Sequence, residues 1–213
     1  MTTTEKPKRD PVIAKARRAL AKADPVLGRH MEKVGAFTIA RNDVANLYET
    51  LAEGIVYQQL HAKAAATIFG RLRALGTTGF PSPDELLALD DAKLRGVGLS
   101  AAKAKAVLDL AARQRAGQLP SIEEARALDD VVLVERLTAV RGIGPWTVEM
   151  LLIFRLGRPD VMPSTDYAIR QGFQKVFRTN ALPTPRQITE RAERWRPHRT
   201  MASWYLWRAL DAK

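Results

Sequence analysis

Residues 137–150 read LTAVRGIGPWTVEM, and the corner inside them, Arg141-Gly-Ile-Gly-Pro145, decides how this chain folds. Upstream, Leu133, Leu137 and Val140 recur at i, i+4 and i+7. Downstream, Val148, Leu151, Leu152 and Arg155 put three apolar side chains and one long stem on a helical stripe. Two helices therefore flank the corner. Gly142 and Gly144 are free to take positive φ and to bring bare backbone close to a ligand, Ile143 suits burial beneath the turn, and Pro145 suits the first position of the second helix. A helix start carries roughly half a positive charge in unpaired amides, so the turn can hold a phosphate without a charged side chain. Such a grip is indifferent to sequence. An ordinary αα-hairpin uses the same two glycines only to close a tight corner, and the glycines alone do not separate these readings.

Composition narrows the choice. The 213 residues are 46% hydrophobic and 27% charged, enough for one core or for two small helical lobes in a folded, soluble protein. A net charge of +11 predicts attraction to a polyanion, with nucleic acid the leading candidate. A ribosomal or membrane-surface protein, or one kept soluble by self-repulsion, can carry the same charge. There is no cysteine, which excludes disulfides, thiolate zinc sites and Cys-ligated iron–sulfur clusters. His30, His61 and His198 are scattered and fit no metal-ligand spacing, so no cofactor is expected. No apolar run approaches the ~20 residues of a membrane span, and residues 1–22 lack a hydrophobic signal core. The protein is expected to stay where it is made, without a membrane partner. Residues 1–22 hold seven Lys or Arg against Glu5 and Asp10 and read as a basic arm whose frayed start leads into a helix.

Along the chain the pattern is helical throughout. Leu47, Leu51 and Ile55 form one stripe, Ala65, Ile68 and Leu72 a second, and Gln58-Gln-Leu-His61 is the joint between them. The cluster from Gly76 to Pro83 is a turn, Ser82 or Pro83 opens a short helix through Leu89, and Asp90 and Asp91 start the next. Residues 94–110 repeat the helix, G-x-G, helix arrangement at Gly96 and Gly98, which is read as a packing corner rather than a second phosphate grip. Asp166 follows Pro163-Ser-Thr and heads a helix whose apolar face is Ile169, Phe173, Val176 and Phe177. An acid there is ordinarily a helix cap, and the helix start stabilises its negative charge. No period-2 pattern of convincing length occurs, so the fold class is all-α.

The longer string L-x-x-h-x-G-I-G-x-W-T, from Leu137 to Thr147, resembles the hairpin of the helix-hairpin-helix (HhH-GPD) DNA glycosylase superfamily. Within it the chain is most similar to the AlkA-type branch, the 3-methyladenine DNA glycosylase II enzymes. Residues 48–65 resemble that branch's Q-Q-h-S helix junction, residues 94–104 its central hairpin and residues 193–208 its closing helix, so that the likeness runs from about residue 24 to the end. It implies a two-lobed helical fold with the active site in the cleft between lobes and no N-terminal β domain. Lobe one would hold about 23–45 and 168–213, and lobe two about 46–167 with the hairpin 141–145.

The resemblance also implies an activity. It is that of a monofunctional DNA glycosylase of base excision repair, hydrolysing the N-glycosidic bond of alkylated purines such as 3-methyladenine and 7-methylguanine flipped from duplex DNA. Asp166, 20 residues after Trp146 and followed by Tyr167, resembles the catalytic Asp-Tyr pair. Arg141, Gly142, Ile143, Gly144 and Thr147 would form the phosphate-binding hairpin, whose carbonyls also permit a monovalent cation. Gln59, then Leu60, with Gln58 and His61 beside them, would supply the wedge that fills the gap left by the base. Here Tyr57 stands where Gly is common and His61 where Ser is common. Trp207, Trp146, Met150 and Tyr57 would line the base pocket, with Trp195, Trp204 and Tyr205 in the core. Bifunctional relatives place a lysine where this chain has Trp146, so no strand cleavage is expected. The partner would be duplex DNA containing alkylated bases, met by a monomer in the cytoplasm, at the nucleoid if bacterial, or in the nucleus if eukaryotic. Two alternatives stay open at this point: a non-catalytic module that binds damaged DNA, and a bifunctional oxidised-base glycosylase with lyase activity.

Overall fold

The computed structural model describes residues 10–40 and 44–211, and residues 1–9 of the basic arm lie outside the described residues. Every described element is helical. In order these are α1 (Pro11–Ala23), α2 (Pro25–Val34), α3 (Leu47–Tyr57), α4 (Ala62–Arg73), α5 (Pro83–Leu87), α6 (Asp91–Gly96), α7 (Ala101–Arg115), α8 (Ile122–Ala127), α9 (Asp130–Thr138), α10 (Pro145–Phe154), α11 (Tyr167–Phe177), α12 (Pro185–Ala192) and α13 (Arg199–Arg208), with a 3-10 turn at Glu193–Trp195 before the last. Local signals set these boundaries. Ser82 with Glu85, Ser121 with Glu124 and Thr184 with Gln187 form reciprocal capping boxes at α5, α8 and α12. Proline opens α1, α2, α5 and α12, where its missing N–H costs no helical bond. No helix among the described residues is long and apolar enough to cross a membrane.

The chain divides into two compact units: the described residues of Met1–Arg41 and Leu152–Lys213 make one, and those of Asn42–Leu151 the other. In the first, α1, α2, α11, α12 and α13 pack around a core of Leu20, Leu27, Met31, Ile169, Phe173, Trp195, Tyr205 and Leu206. The helix expected within residues 1–22 is α1, and Ala16 and Leu20 on it are buried in that core. The second crossing differs from the sequence reading, which put it near residue 167; it falls at Leu151–Leu152. The reason is a set of tertiary hydrogen bonds. The Thr200 hydroxyl donates to Arg158 O and accepts from Val161 N–H, Ser203 Oγ donates to Val161 O, and Arg199 is paired with Asp160 at 2.8 Å, so residues 158–162 belong with α13.

Asp24, between α1 and α2, is the buried acid of this unit, 1% exposed. Its carboxylate accepts from Val26 and Leu27 N–H at the start of α2, from both Arg191 nitrogens at 2.9 and 3.1 Å, and from Trp195 Nε1 at 3.2 Å. Burial pushes its pKa up, but the Arg191 hydrogen bond, the Leu27 amide, the Arg191 charge and the Trp195 indole together hold it below the ordinary value. The sign follows. A lowered folded pKa adds stability that is present above the unfolded value of about 3.9 and is lost as pH falls through the folded pKa. Urea denaturation from pH 6 to pH 3 is expected to show this loss in wild type, and Asp24→Asn is expected to flatten it; an unchanged pH profile in the variant would refute the role.

In the second unit α7 is central, packing against α3, α5 and α6. Leu51, Ile55, Leu86, Leu94, Val107, Leu110, Leu133 and Leu137 are buried there. The corner before α7 is a packing corner, as expected. Gly98 has φ +106°, its N–H donates to Arg95 O, and a Cβ on it would meet Ile68 Cγ1 at 3.0 Å.

Candidate functional site

In the first unit the chain turns at Pro163, whose carbonyl accepts from Asp166 N–H, and delivers Asp166 to the N-cap of α11. Asp166 Oδ1 accepts from Ile169 N–H at 2.7 Å and from Trp207 Nε1 at 3.1 Å. The first bond is an ordinary cap. The second ties the carboxylate to the last turn of α13. The Trp207 ring stacks on Phe154 with centroids 5.7 Å apart and planes at 30°. Asp166, Trp207 and Phe154 are all half-buried, and Tyr167 is exposed. A carboxylate held by two directed N–H donors beside an aromatic pair is a fixed negative charge, able to stabilise a developing cation or to orient and deprotonate water.

In the second unit the hairpin runs from α9 to α10. Arg141 N–H donates to Asp109 Oδ2 on α7 at 2.8 Å, Ile143 N–H donates to Val140 O, and the Ile143 side chain is buried. Gly144 O accepts from Thr147 and Val148 N–H and so starts α10 at Pro145. The N–H groups of Gly142 and Gly144 donate to no acceptor among the described residues, leaving two backbone donors for an anion. The two glycines differ. Gly142 has φ +78°, and a Cβ there would lie 3.2 Å from Ala106 Cβ; Gly144 does not have positive φ and a Cβ there would meet nothing within 4 Å. Only Gly142 therefore uses the left-handed region, which corrects the expectation for Gly144. Gly142→Ala is expected to lower stability as well as duplex affinity, whereas Gly144→Ala should keep the wild-type melting temperature and lose affinity for all DNA sequences alike. Fluorescence anisotropy on several unrelated duplexes checks this, and a sequence-selective loss would contradict a phosphate contact.

The joint between α3 and α4 is built on an unusual backbone. Gln59 has φ +56°, a left-handed conformation that side-chain-bearing residues rarely take. Gln59, Leu60 and His61 are exposed, and His61 stands at the N-cap of α4 without capping it through its side chain. Gln58 does something else. Its Nε2 donates to Gly142 O at 2.8 Å and to Thr147 Oγ1 at 3.3 Å. The amide expected to belong to the wedge is committed to the hairpin, as is the Thr147 hydroxyl expected to face phosphate. The Val140 and Gly142 carbonyls already accept from Ile143 N–H and Gln58.

Comparison with known proteins bears on this arrangement. The family model described as HhH-GPD superfamily base excision DNA repair protein matches residues 52–197, which include the joint, both corners and Asp166. The chain belongs to this superfamily. It is 43% identical over 162 residues to DNA-3-methyladenine glycosylase 1 of Schizosaccharomyces pombe, covering 76% of this chain and 71% of that one. The solved structure of a Schizosaccharomyces pombe 3-methyladenine DNA glycosylase in complex with abasic DNA superposes with a TM-score of 0.79 at 39% identity, over 91% of this chain and 95% of that one. A DNA-3-methyladenine glycosidase from Bacillus halodurans gives a TM-score of 0.82 at 28% identity, covering 96% and 91%.

Against this HhH-GPD frame, the aromatic residues divide cleanly. Trp195, Trp204 and Tyr205 are core, at 1%, 7% and 0% exposure, whereas Trp146 is 44% exposed at the head of α10. Tyr57 and Met150 are half-buried. Phe154 escaped the sequence reading, although it follows Met150 by four residues, the spacing of one helical face. The Gln58 tie and the Asp109 acceptor were missed too, and no local pattern announces either.

Proposed function

We propose that this HhH-GPD protein is a monofunctional DNA glycosylase that hydrolyses the N-glycosidic bond of alkylated purines, 3-methyladenine and 7-methylguanine among them, in duplex DNA. One observation carries the chemistry: Asp166 is a carboxylate gripped by the start of α11 and by the Trp207 indole, and Trp146 stands at the position that resembles the lysine of bifunctional relatives. The hairpin amides of Gly142 and Gly144 would hold the backbone of the DNA. Extruding the nucleotide costs a few kcal/mol, less at a damaged or mispaired base, and the exposed Gln59 and Leu60 would fill the space it leaves. Trp207, stacked on Phe154 and hydrogen-bonded to Asp166, is the aromatic ring beside the carboxylate and suits an electron-poor methylated base.

As the C1′–N bond breaks, its electron pair leaves with the base, which is already cationic and so departs neutral without protonation. Positive charge moves to the sugar, where the Asp166 carboxylate would stabilise it. A water oxygen then bonds to C1′ and gives up its proton to Asp166 or to solvent, leaving an abasic site. Abasic DNA is the ligand named for the Schizosaccharomyces pombe structure. With tryptophan in place of lysine at the head of α10, no Schiff base to the sugar is expected from that position, and the strand would stay intact.

Chromatography of bases released from methylated duplex is the test. The expected products are free 3-methyladenine and 7-methylguanine, an abasic site cut only by added alkali, and no protein–DNA adduct with borohydride. A duplex that keeps its methylated bases would refute the glycosylase, and a borohydride-trapped adduct would make it bifunctional.

A further inference from the structure

Three residues of α7 touch the two DNA-facing parts of the second unit. Lys103 Nζ donates to Val56 O and to Gln58 O, both at 2.7 Å, closing the end of α3 and pinning the joint. Ala106 lies under Gly142, close enough that a Cβ there would crowd it. Asp109 Oδ2 accepts from Arg141 N–H at 2.8 Å and from Arg113 Nε at 2.9 Å. Lys103, Ala106 and Asp109 are spaced by three, so they share one face of the helix. Gln58 completes the set by reaching from the joint to Gly142 O and Thr147 Oγ1. Between these fixed points Gln59 is held at φ +56°, a conformation that persists only where its surroundings impose it.

We propose that α7 is a strut that registers the intercalating joint 58–61 against the backbone-gripping hairpin 141–147, with Lys103 as the residue that positions the joint for base extrusion. This rests on the glycosylase reading above. The physical logic is that of two tools on one handle. Gripping the phosphates sets where the joint stands on the duplex, and a joint free to swing would spend binding energy on ordering itself instead of on unstacking a base. Lys103 suits the task because its ammonium, drawn down in pKa by burial, sits on two carbonyls that the end of α3 would otherwise leave unpaired. It has no place in the bond-breaking chemistry.

Lys103→Met keeps the stem and removes the donors. Two measurements test it, with Gln58→Leu as a second variant that cuts the joint from the hairpin without altering α7. In the free protein, amide hydrogen exchange at Leu60, whose N–H donates to Tyr57 O at 3.4 Å, is expected to quicken at least tenfold in Lys103→Met, beyond any change at the buried core of α7. In single turnover, base release from a fully paired duplex is expected to fall more than tenfold. Release of the same lesion placed opposite an abasic gap, where extrusion is nearly free, should fall less than threefold. A lesser fold would slow both substrates equally, and that result, like unchanged exchange at the joint, would overturn the strut. If wild type releases no base from either substrate, the glycosylase reading fails, and hydrogen exchange alone then decides whether α7 holds the joint.

Discussion

Asp166→Asn is expected to slow base release in single turnover by about 10²–10³-fold, the usual cost of deleting one preorganised electrostatic group, while duplex affinity is unchanged. The substitution isolates charge from structure. Asn caps a helix as well as Asp does, and its carbonyl oxygen can stay on Ile169 N–H and Trp207 Nε1, since both partners donate and would repel the amide nitrogen. The net negative charge is lost while these two bonds are kept. At an effective dielectric near 20, one charge about 4 Å from a sugar cation contributes roughly 4 kcal/mol, which agrees with the expected loss in rate. Asp166→Ala is a poorer probe, because losing the cap costs about 1 kcal/mol of stability and frees the Trp207 indole. Equal, measurable rates for wild type and Asp166→Asn would remove the carboxylate charge from the mechanism.

Gly172→Ala is expected to be the most damaging small substitution in the first unit, lowering stability by about 3 kcal/mol or more. Two effects compete. Alanine in a helix interior is favoured over glycine by about 1 kcal/mol, which alone would raise the melting temperature. Packing decides otherwise. A Cβ on Gly172, in the middle of α11, would overlap the Leu206 carbonyl oxygen of α13, and its carbonyl carbon would be 2.8 Å away. Those are backbone atoms and cannot rotate aside, so α11 and α13 must separate. Asp166 heads α11 and Trp207 directly follows Leu206, so the same movement would stretch the hydrogen bond that holds the carboxylate. Urea denaturation is expected to show the loss, and the surviving folded fraction should cleave more slowly than wild type. A variant more stable than wild type would mean that the helices are not in contact here.

Much of this architecture is legible in the residues themselves. Helical periodicity, capping Ser, Thr and Asp, and helix-opening prolines are interactions between residues within about four positions of each other, and so a linear string displays them. The hairpin and the place of Asp166 were legible for a different reason: the G-I-G-x-W-T string and the Asp-Tyr pair resemble a superfamily whose model does match this chain. Where the reading stopped, chain distance explains it. Gln58 and Gly142 are 84 residues apart, Asp24 and Arg191 are 167 apart, and Lys103 lies 47 residues from the carbonyl it caps.

An all-helical basic chain with two glycine corners and an acid at a helix head follows from the residue string, because those properties depend on composition and on neighbours in the chain. Packing between distant segments settled which of the two hairpin glycines takes positive φ, that the Gln58 amide serves the hairpin, that the Trp207 indole, stacked on Phe154, holds Asp166, and that α1 joins the core through Ala16 and Leu20. Each of those outcomes is set by which distant backbone atoms and side chains come within hydrogen-bonding or van der Waals reach, a quantity that exists only once the helices have packed.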